Sequence, residues 1–372
     1  MKKIMAILAG MAAFAAALFG DPAGYFVKLE AYDVEPGKAL RAADEIEKDH
    51  AAFRAAGNIP QNLFSTTLAP GITSSLSNQE DFLQATGVSA TTACSDETKI
   101  PAGPRAKIIL NAGEKGEVLV SLDYLDSAPA DGKDYVSGNQ VMTMRNFGEI
   151  AVSFNLLPVT PGKTRVAALR KLENSCRIYA LSIFSLPEII KSDPDGAAEL
   201  RVEKLTVPAE AYAEFDGSKA SFEKLRKAAS ESAPIAVMPM STSEPEHSLF
   251  KDSTAIYYPV APQATLMGDF VMQSLGPVIT ARFSRQCRPA SISAPADEKC
   301  GMLLELSYLE SALASKKKIA AMGQVVERPG SFKNWKSNTV LPFEPGVPAV
   351  AASRLCEGGV EVLAVTLSPK EP

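Results

Sequence analysis

The sequence contains one characteristic segment twice. The segment EVLVSLDYLDSA around Tyr124 returns as GMLLELSYLESA around Tyr308, at an offset of 184 in the numbering. The same offset relates LPVTPG at 157–162 to LPFEPG at 341–346. Because this register holds without a gap over about sixty residues, the chain is predicted to contain two copies of one domain.

The repeat divides the chain into a first copy at 21–186, a linker at 187–199 and a second copy at 200–372, after a leader at 1–20. Each copy begins with a strand-like segment and one helix. Segments of alternating apolar and polar residues, separated by turn residues, make up the rest. The predicted fold class is α+β, with two similar strand-dominated domains, each with one helix packed on a mostly antiparallel sheet.

One helix in each copy follows from apolar spacing and boundary residues. In the first copy it is predicted from Pro36 to Ala56, and in the second it starts at Asp216-Gly217-Ser218. The residues predicted on its buried side are Leu40, Ala43, Ile46 and Phe53 in the first copy, and Phe222, Leu225 and Ala229 in the second.

Residues 1–20 have the composition of a secretory signal peptide. Lys2 and Lys3 form a basic start, and an apolar run from Ile4 to Phe19 leads to small residues. The run is shorter than the roughly 20 residues that a membrane-spanning helix needs. We therefore expect export to the periplasm or out of the cell, without an integral membrane span.

The charge balance limits the partners of this chain. Of 38 basic residues two lie in the leader, which leaves 36 against 43 acidic residues. A mildly acidic chain is not expected to bind nucleic acid. The basic run Lys316–Lys318 is interpreted as a solvated loop. The expected partner is an envelope protein or a second copy of this chain.

The cysteines are disulfide candidates because an exported chain meets an oxidising compartment. They are Cys94, Cys176, Cys287, Cys300 and Cys356. The repeat suggests one disulfide at the corresponding place in each copy, Cys94–Cys176 and Cys287–Cys356, with Cys300 unpaired. The alternative is Cys287–Cys300 with Cys356 free. None of the spacings is that of a zinc site.

No pattern predicts a catalytic site or a cofactor. His50 and His247 are the two histidines, and neither has a counterpart in the other copy. A Ser-His-Asp catalytic site would have to assemble from residues that show no local sequence motif. Gly162-Lys163-Thr164 resembles the end of a phosphate-binding loop without the upstream glycine, so we interpret it as a turn. The chain is not expected to be an enzyme.

Metal and carbohydrate sites are not expected either. Four aspartates near a predicted loop do not have the spacing of a calcium-binding EF-hand, and the second copy replaces them with other residue types. They are Asp123, Asp126, Asp131 and Asp134. Trp335 is the only tryptophan and is expected in the core, although Tyr257 and Tyr258 could contribute to a sugar-binding face.

The last third of each copy resembles the secretin family of outer-membrane secretion channels. The matching segments are Val120–Leu125, Ile150–Gly162, Val166–Ala168 and Cys176–Ile183 in the first copy, and Leu304–Leu309, Trp335–Gly346, Val350–Ala352 and Val360–Leu367 in the second. The family's Val-Pro-x-Leu-Gly-x-x-Pro-x-x-Gly stretch is absent. The resemblance therefore implies tandem secretin-like domains that do not form a channel.

Three hypotheses for function follow. The first is an exported scaffold or protein-interaction module of the cell envelope, associated with secretion or pili. The second is a secreted adhesin or ligand-binding module, and the third is an envelope hydrolase. Two copies give two similar surfaces, which suits contact with a repeated partner or with the chain itself.

Overall fold

The structure is a computed structural model. It describes residues 24–85, 97–113, 116–137, 140–186, 197–241, 248–259, 270–287, 300–321, 324–342 and 344–369. The predicted leader, most of the predicted linker, Cys94 and His247 lie outside these residues.

Seventeen strands and four short α-helices form the described part of the chain. The strands are β1 (Tyr25–Val34), β2 (Asn62–Leu68), β3 (Thr73–Ala85), β4 (Glu97–Ala112), β5 (Val118–Ser137), β6 (Gln140–Val159), β7 (Thr164–Lys171), β8 (Cys176–Ser185), β9 (Ala197–Val207), β10 (Glu231–Ser241), β11 (Ser248–Lys251), β12 (Thr254–Pro259), β13 (Phe270–Cys287), β14 (Cys300–Ala321), β15 (Gln324–Pro342), β16 (Ala349–Cys356) and β17 (Gly359–Pro369). The helices are α1 (Ala39–Lys48), α2 (His50–Ala55), α3 (Ala209–Ala213) and α4 (Lys219–Ala228).

These strands form two antiparallel sheets. The first sheet has the order β10-β9-β17-β16-β2-β1-β8-β7. The second has the order β11-β13-β14-β15-β3-β4-β5-β6, with β12 also paired to β13. The α+β class with antiparallel sheets is therefore confirmed.

Both halves of the chain use the same strand order. In the first sheet, β2-β1-β8-β7 of the first half matches β10-β9-β17-β16 of the second. In the second sheet, β3-β4-β5-β6 matches β11 and β12 followed by β13-β14-β15. Tyr124 and Tyr308 occupy equivalent places, since they lie opposite Ala106 in β4 and Ile279 in β13. Each sheet therefore contains strands from both copies.

A Gly-Pro pair interrupts the second sheet at the same point in each copy. Gly103 has φ +113° and Gly276 has φ +111°, a backbone region that favours glycine. A Cβ at Gly103 would lie 2.5 Å from the carbonyl oxygen of Asn78, and one at Gly276 would clash with that of Asp252. The numbers of the two glycines differ by 173 and those of Tyr124 and Tyr308 by 184, so the offset between the copies changes along the chain.

The main core lies between the two sheets. Val27, Leu29 and Phe64 from the first sheet pack in one cluster with Ile108 and Tyr124 from the second. The helices cover the other face of the first sheet, where Ile46 and Phe53 pack in one cluster and Phe222 and Leu225 in another. The chain therefore folds as a sandwich with a helical layer on one side.

The predicted first helix is divided into shorter pieces. A 3₁₀ turn at Pro36–Lys38 leads into α1, and Asp49 separates α1 from α2. The Asp49 carboxylate accepts a hydrogen bond from the Ala52 N–H (3.0 Å), so it caps α2. The prediction that Leu40 lies on the buried side is wrong, because its side chain is 74% exposed. The buried stripe of α1 is Ala39, Ala42, Ala43 and Ile46, and at 100° per residue Leu40 falls on the flank of that stripe.

The second predicted helix starts where the sequence indicates. Ser218 caps α4 by accepting a hydrogen bond from the Ser221 N–H (3.2 Å), and Phe222 and Leu225 are buried. Within the described residues, none of the helices has the length and apolar character needed to cross a membrane.

Candidate functional site

A groove of about 510 Å³ lies on the outer face of the second sheet. It is formed by β3, β4, β5, β6 and β15. Successive residues of a strand point to opposite faces of the sheet. Leu76 and Ala106 point into the core, so the polar residues next to them in the sequence lie on the outer face. The outward residues that line it include Ser75, Ser77, Gln79, Arg105, Lys107, Asp123, Ser153, Lys336 and Asn338.

The strands of the first copy approach one another at one end of the second sheet. The rings of Phe82 in β3 and Phe147 in β6 lie 5.9 Å apart between centroids, although two strands separate β3 from β6. The four strands therefore curl towards each other at this end. The β3–β4 pairing is interrupted at Asn78 and Gln79, opposite Pro104 and Gly103, without a change of register.

Basic groups outnumber acidic ones in the groove. Arg105, Lys107 and Lys336 face a single carboxylate among the lining residues, that of Asp123. Asp123 accepts a hydrogen bond from the Ser153 hydroxyl at 2.5 Å. Arg105 and Lys107 project into open solvent from β4, and Lys336 projects from β15, on the other side of β3. This arrangement can attract an anionic ligand electrostatically.

The second notable region is the seam, defined here as the two pairings β2–β16 and β3–β15 that join the copies. In the first sheet, Ser65 lies opposite Ser353. In the second sheet, β3 and β15 pair over eight positions, from Ser75–Asn338 to Phe82–Ser331. Each sheet is therefore continuous from one copy into the other.

Buried hydroxyl groups fill the first-sheet part of the seam. The Oγ atoms of Ser65 and Ser353 lie 2.6 Å apart, and the Tyr212 hydroxyl donates to Ser353 Oγ at 3.0 Å. Tyr212 also contacts the Ser65 hydroxyl. All three side chains are buried, and burial raises the pKa of Tyr212. Because α3 carries Tyr212, this helix of the second copy covers the seam.

Lys28 attaches the first copy to the same helix. Its Nζ donates to the backbone carbonyls of Tyr212 (3.0 Å) and Ala213 (3.1 Å), at the end of α3. Four aromatic rings surround the ammonium, including those of Tyr212 and Phe215. Burial lowers the pKa of Lys28 to about 8. Lys28 of the first copy therefore holds α3 of the second copy in place beside the seam.

A buried carboxylate paired with an arginine occurs in both copies. Glu30 lies 2.9 Å from Arg54, and Glu203 lies 2.6 Å from Arg226. Both glutamates are 1% exposed, and their numbers differ by 173, the offset that also relates the two glycines of the Gly-Pro pairs. The buried glutamate therefore belongs to the repeated fold, whereas its two arginine partners differ in number by 172.

His50 lies beside the Glu30 pair in the first copy. Its Nε2 is 2.8 Å from the Tyr32 hydroxyl and 3.2 Å from Glu30, and its Nδ1 is 3.2 Å from the Thr164 hydroxyl. Burial lowers the pKa of His50 below its usual range. The imidazole is mostly enclosed and holds α2 to the sheet. The groove lies elsewhere, and His50 is not among its lining residues.

The structure shows where the other predicted site residues lie. Asp123 and Asp126 belong to strand β5 and not to a loop. Asp126 pairs with Arg177 (2.9 Å), and burial raises its pKa. The side chains of Asp131 and Asp134 fall outside the described residues. In the described part of the chain, no group of three or more His, Cys, Asp or Glu side chains could hold a metal ion.

Other predicted features have mixed outcomes. Gly162 lies in a turn with φ +80°, as predicted, and Trp335 is fully buried in the core. Lys316–Lys318 belong to strand β14, so the predicted loop is wrong, because the β14–β15 hairpin extends past them. Tyr257 is exposed whereas Tyr258 is buried, so the two do not form one face.

The cysteines separate into two groups. Cys176 and Cys356 have free thiols in the structure, so neither Cys94–Cys176 nor Cys287–Cys356 is bridged there. Cys287 and Cys300 lie directly opposite each other in the β13–β14 register. The backbone therefore brings together the alternative pair.

The segments on which the predicted secretin resemblance rests lie in β5 to β8 and β14 to β17, the second half of each copy. No model of a known protein family matches the sequence, and no curated protein matches it. Function is therefore inferred from the geometry of this chain.

Proposed function

We propose that this chain is an exported protein-interaction module of the cell envelope, a scaffold built from two secretin-like copies and not an enzyme. The observation that supports this most is the seam, in which one copy binds another through strand edges in both sheets at once. Sheet edges are a common means of protein association, because their unpaired backbone groups accept a further strand.

The ends of both sheets offer further edges to a partner. Among the described strands, β7 and β10 each have a neighbour on one side only in the first sheet. The same holds for β6 and β11 in the second sheet. Such edges suit a scaffold associated with secretion or with pili, where partners are repeated.

Crosslinking in cells tests the scaffold role. The full chain with a C-terminal affinity tag, at its native expression level, is treated with formaldehyde and purified. We expect discrete adducts larger than the chain itself, containing an envelope protein or a second copy. An exported protein of similar size without free sheet edges serves as the control. Recovery of the chain as a single uncrosslinked species under conditions that crosslink known envelope complexes would contradict the proposal.

Export is part of the same proposal and has its own test. The basic start, the short apolar run and the small residues of 1–20 support cleavage by a signal peptidase. We expect the mature chain to begin near residue 21 and to fractionate with the periplasm or the medium. N-terminal sequencing measures this directly. A chain that retains Met1 and stays in the cytoplasm would overturn the location.

A second candidate function is ligand binding in the groove. Arg105, Lys107 and Lys336 around Asp123 favour an anionic ligand lying along the strands. Hexaglutamate is a suitable probe, since it is extended and carries no chemistry beyond its charge. We expect binding that weakens with salt and is lost in Lys107→Gln, while Lys163→Gln, outside the groove, binds as the wild type. Equal binding by both variants would exclude the groove as the site.

A further inference from the structure

The seam joins two different edges of the repeated fold. In the first sheet, β16 of the second copy meets β2 of the first copy. The counterpart of β16 is β7, and the counterpart of β2 is β10, by their places in the common strand order. These counterparts are the two outermost strands of the sheet. The molecule therefore ends in the same two kinds of edge that its own seam brings together.

The second sheet repeats this relationship. Its seam pairs β15 with β3, and the counterparts of these strands are β6 and β11. They are the outermost strands of that sheet. Strands β6 and β7 contact each other, as do β10 and β11, so each pair of free edges lies together at one end of the molecule.

Equivalent residues differ in burial between the seam and the free edge. Val350, Ala351 and Ala352 of β16 are at most 2% exposed. Their counterparts in β7, the Val-Ala-Ala at 166–168, are only partly buried. The same apolar sequence is thus covered where a neighbouring strand is present and open where it is absent.

The residues at the centre of the seam have apolar counterparts at the free edges. The counterpart of Ser353 is Leu169, by the offset of 184 that relates β7 to β16. Ser65 pairs with Lys28 in β1, and Val237 pairs with Arg201 at the equivalent place in β9, so Val237 is the counterpart of Ser65. Leu169 is 42% exposed and Val237 is 52% exposed.

We propose that a second copy of this chain binds end to end, with β7 of one molecule beside β10 of the next in the geometry of the seam. Leu169 then meets Val237 where Ser353 meets Ser65 within the chain. In the second sheet, β6 lies beside β11 of the next molecule. Because the two surfaces differ, the contact is heterologous and adds molecules into an open filament or a closed ring. This inference rests on the proposed interaction function.

In the first sheet, side-chain packing, more than a backbone ladder, stabilises this contact. Pro234 and Pro239 in β10 lack the N–H that a ladder needs. The first-sheet seam itself has a single registered pair, Ser65–Ser353. Burial of Leu169 and Val237 supplies the favourable contribution that the serine hydroxyls supply at the seam. Leu40 of α1 is also exposed, and α1 packs against β7 on the same side.

Charge substitutions at the two edges test the proposal. The full chain, as purified after export, is studied by sedimentation velocity over a hundredfold range of concentration. We expect the average mass of the wild type to rise with concentration. Leu169→Glu and Val237→Glu should each remain monomeric, because each loses one of the two surfaces. Ile59→Glu is the matched control, since Ile59 is 65% exposed and precedes β2, away from both free edges. It should associate as the wild type does.

Mixing the two edge variants distinguishes a heterologous contact from a symmetric one. Leu169→Glu keeps an intact β10 edge and Val237→Glu keeps an intact β7 edge. An equimolar mixture should therefore form a 1:1 dimer and grow no further. Thermal unfolding shows whether each variant is folded. A wild type that stays monomeric, a mixture of folded variants that stays monomeric, or association unaffected by Leu169→Glu would each overturn the proposal.

Crosslinking in cells and sedimentation of the purified chain together distinguish end-to-end self-association from binding to another envelope protein. If crosslinking in cells captures a different envelope protein while the purified chain stays monomeric, the interaction function stands and the end-to-end contact is wrong. If neither occurs, both are wrong.

Discussion

Ser65 and Ser353, 288 residues apart in the sequence, meet at the centre of the seam with 2.6 Å between their hydroxyl oxygens. Both side chains are fully buried. Tyr212 of α3 donates to Ser353 from the helical side. Neither copy alone contains this group of three hydroxyls, since Ser65 belongs to the first copy and the other two to the second. The association of the copies is therefore specified by buried polar contacts as well as by apolar packing.

Removing the Ser353 hydroxyl should destabilise the whole chain. Ser353→Ala removes one of the two serine hydroxyls that contact the Tyr212 hydroxyl, while that of Ser65 remains. Loss of a hydrogen bond of this kind costs about 0.5–1.5 kcal/mol. Urea denaturation measures the change in the free energy of unfolding. Ser185→Ala, at an exposed position of β8, is the control and should change little. Equal stability of the two variants would show that the hydroxyl contacts contribute nothing.

The buried ion pair of the first copy should be sensitive to loss of its cation. Glu30 is 1% exposed, and Arg54→Met leaves its carboxylate without the guanidinium at 2.9 Å. Breaking a buried pair in this way costs about 3–5 kcal/mol. Arg41→Met removes an arginine of the exposed pair with Glu45 and should change stability by less than about 0.5 kcal/mol. Similar melting temperatures for both variants would contradict the role of Glu30.

The fold class could be predicted from the sequence because it depends on local patterns. Alternation around Tyr124 and Tyr308 identifies strands, and Ser218 identifies the start of α4. The repeat is recognisable in the second half of each copy, at the offset of 184. The same comparison at 173 relates Glu30 to Glu203 and Gly103 to Gly276, so it could have located the two buried glutamates.

The seam and the groove could not be predicted in this way. Ser65 and Ser353 become neighbours only because β2 and β16 are adjacent, and strand order across 288 residues leaves no local pattern. Arg105, Lys107 and Lys336 are ordinary outward residues of strands. They converge because β15, β3 and β4 lie side by side in the second sheet, and this strand order leaves no local pattern in the sequence. Of the charged residues in the groove, the sequence singles out only Asp123.

Acid should destabilise the chain partly through His50. Burial lowers the pKa of His50 in the folded state below its ordinary value of 6.5. The unfolded chain therefore binds the proton more readily, and stability falls as the pH drops below about 6.5. In His50→Gln this contribution is absent, so the stability difference between wild type and variant should change between pH 7 and pH 5. Denaturation curves at each pH measure it, and parallel pH profiles would contradict the burial effect.

Lys28 should make the stability of the chain depend on pH on the alkaline side, in a different pH range from His50. Its folded pKa is about 8 and its ordinary value is 10.5, so the unfolded chain holds more protons between these values. Stability therefore rises with pH in this window. Relative to Lys28→Met, which has no such proton, the wild type should gain up to about 2 kcal/mol between pH 8 and pH 9.5. The comparison at each pH removes the contribution of the buried tyrosines, which both proteins share. A constant difference across this range would mean that Lys28 stays charged.

Export should oxidise the cysteine pair that the backbone brings together. Cys287 and Cys300 are direct partners in the antiparallel β13–β14 register. Cα atoms of such partners are about 4.5–5.5 Å apart, within the range that a disulfide spans. Peptide mapping without reduction should therefore find the Cys287–Cys300 bridge in protein purified from the envelope, with Cys356 as a free thiol. Cys287→Ser should leave Cys300 reactive to a maleimide, whereas Cys356→Ser should not. If mapping instead finds Cys94–Cys176 and Cys287–Cys356, the two equivalent pairs of the repeat, then oxidation follows the repeat and not the strand register.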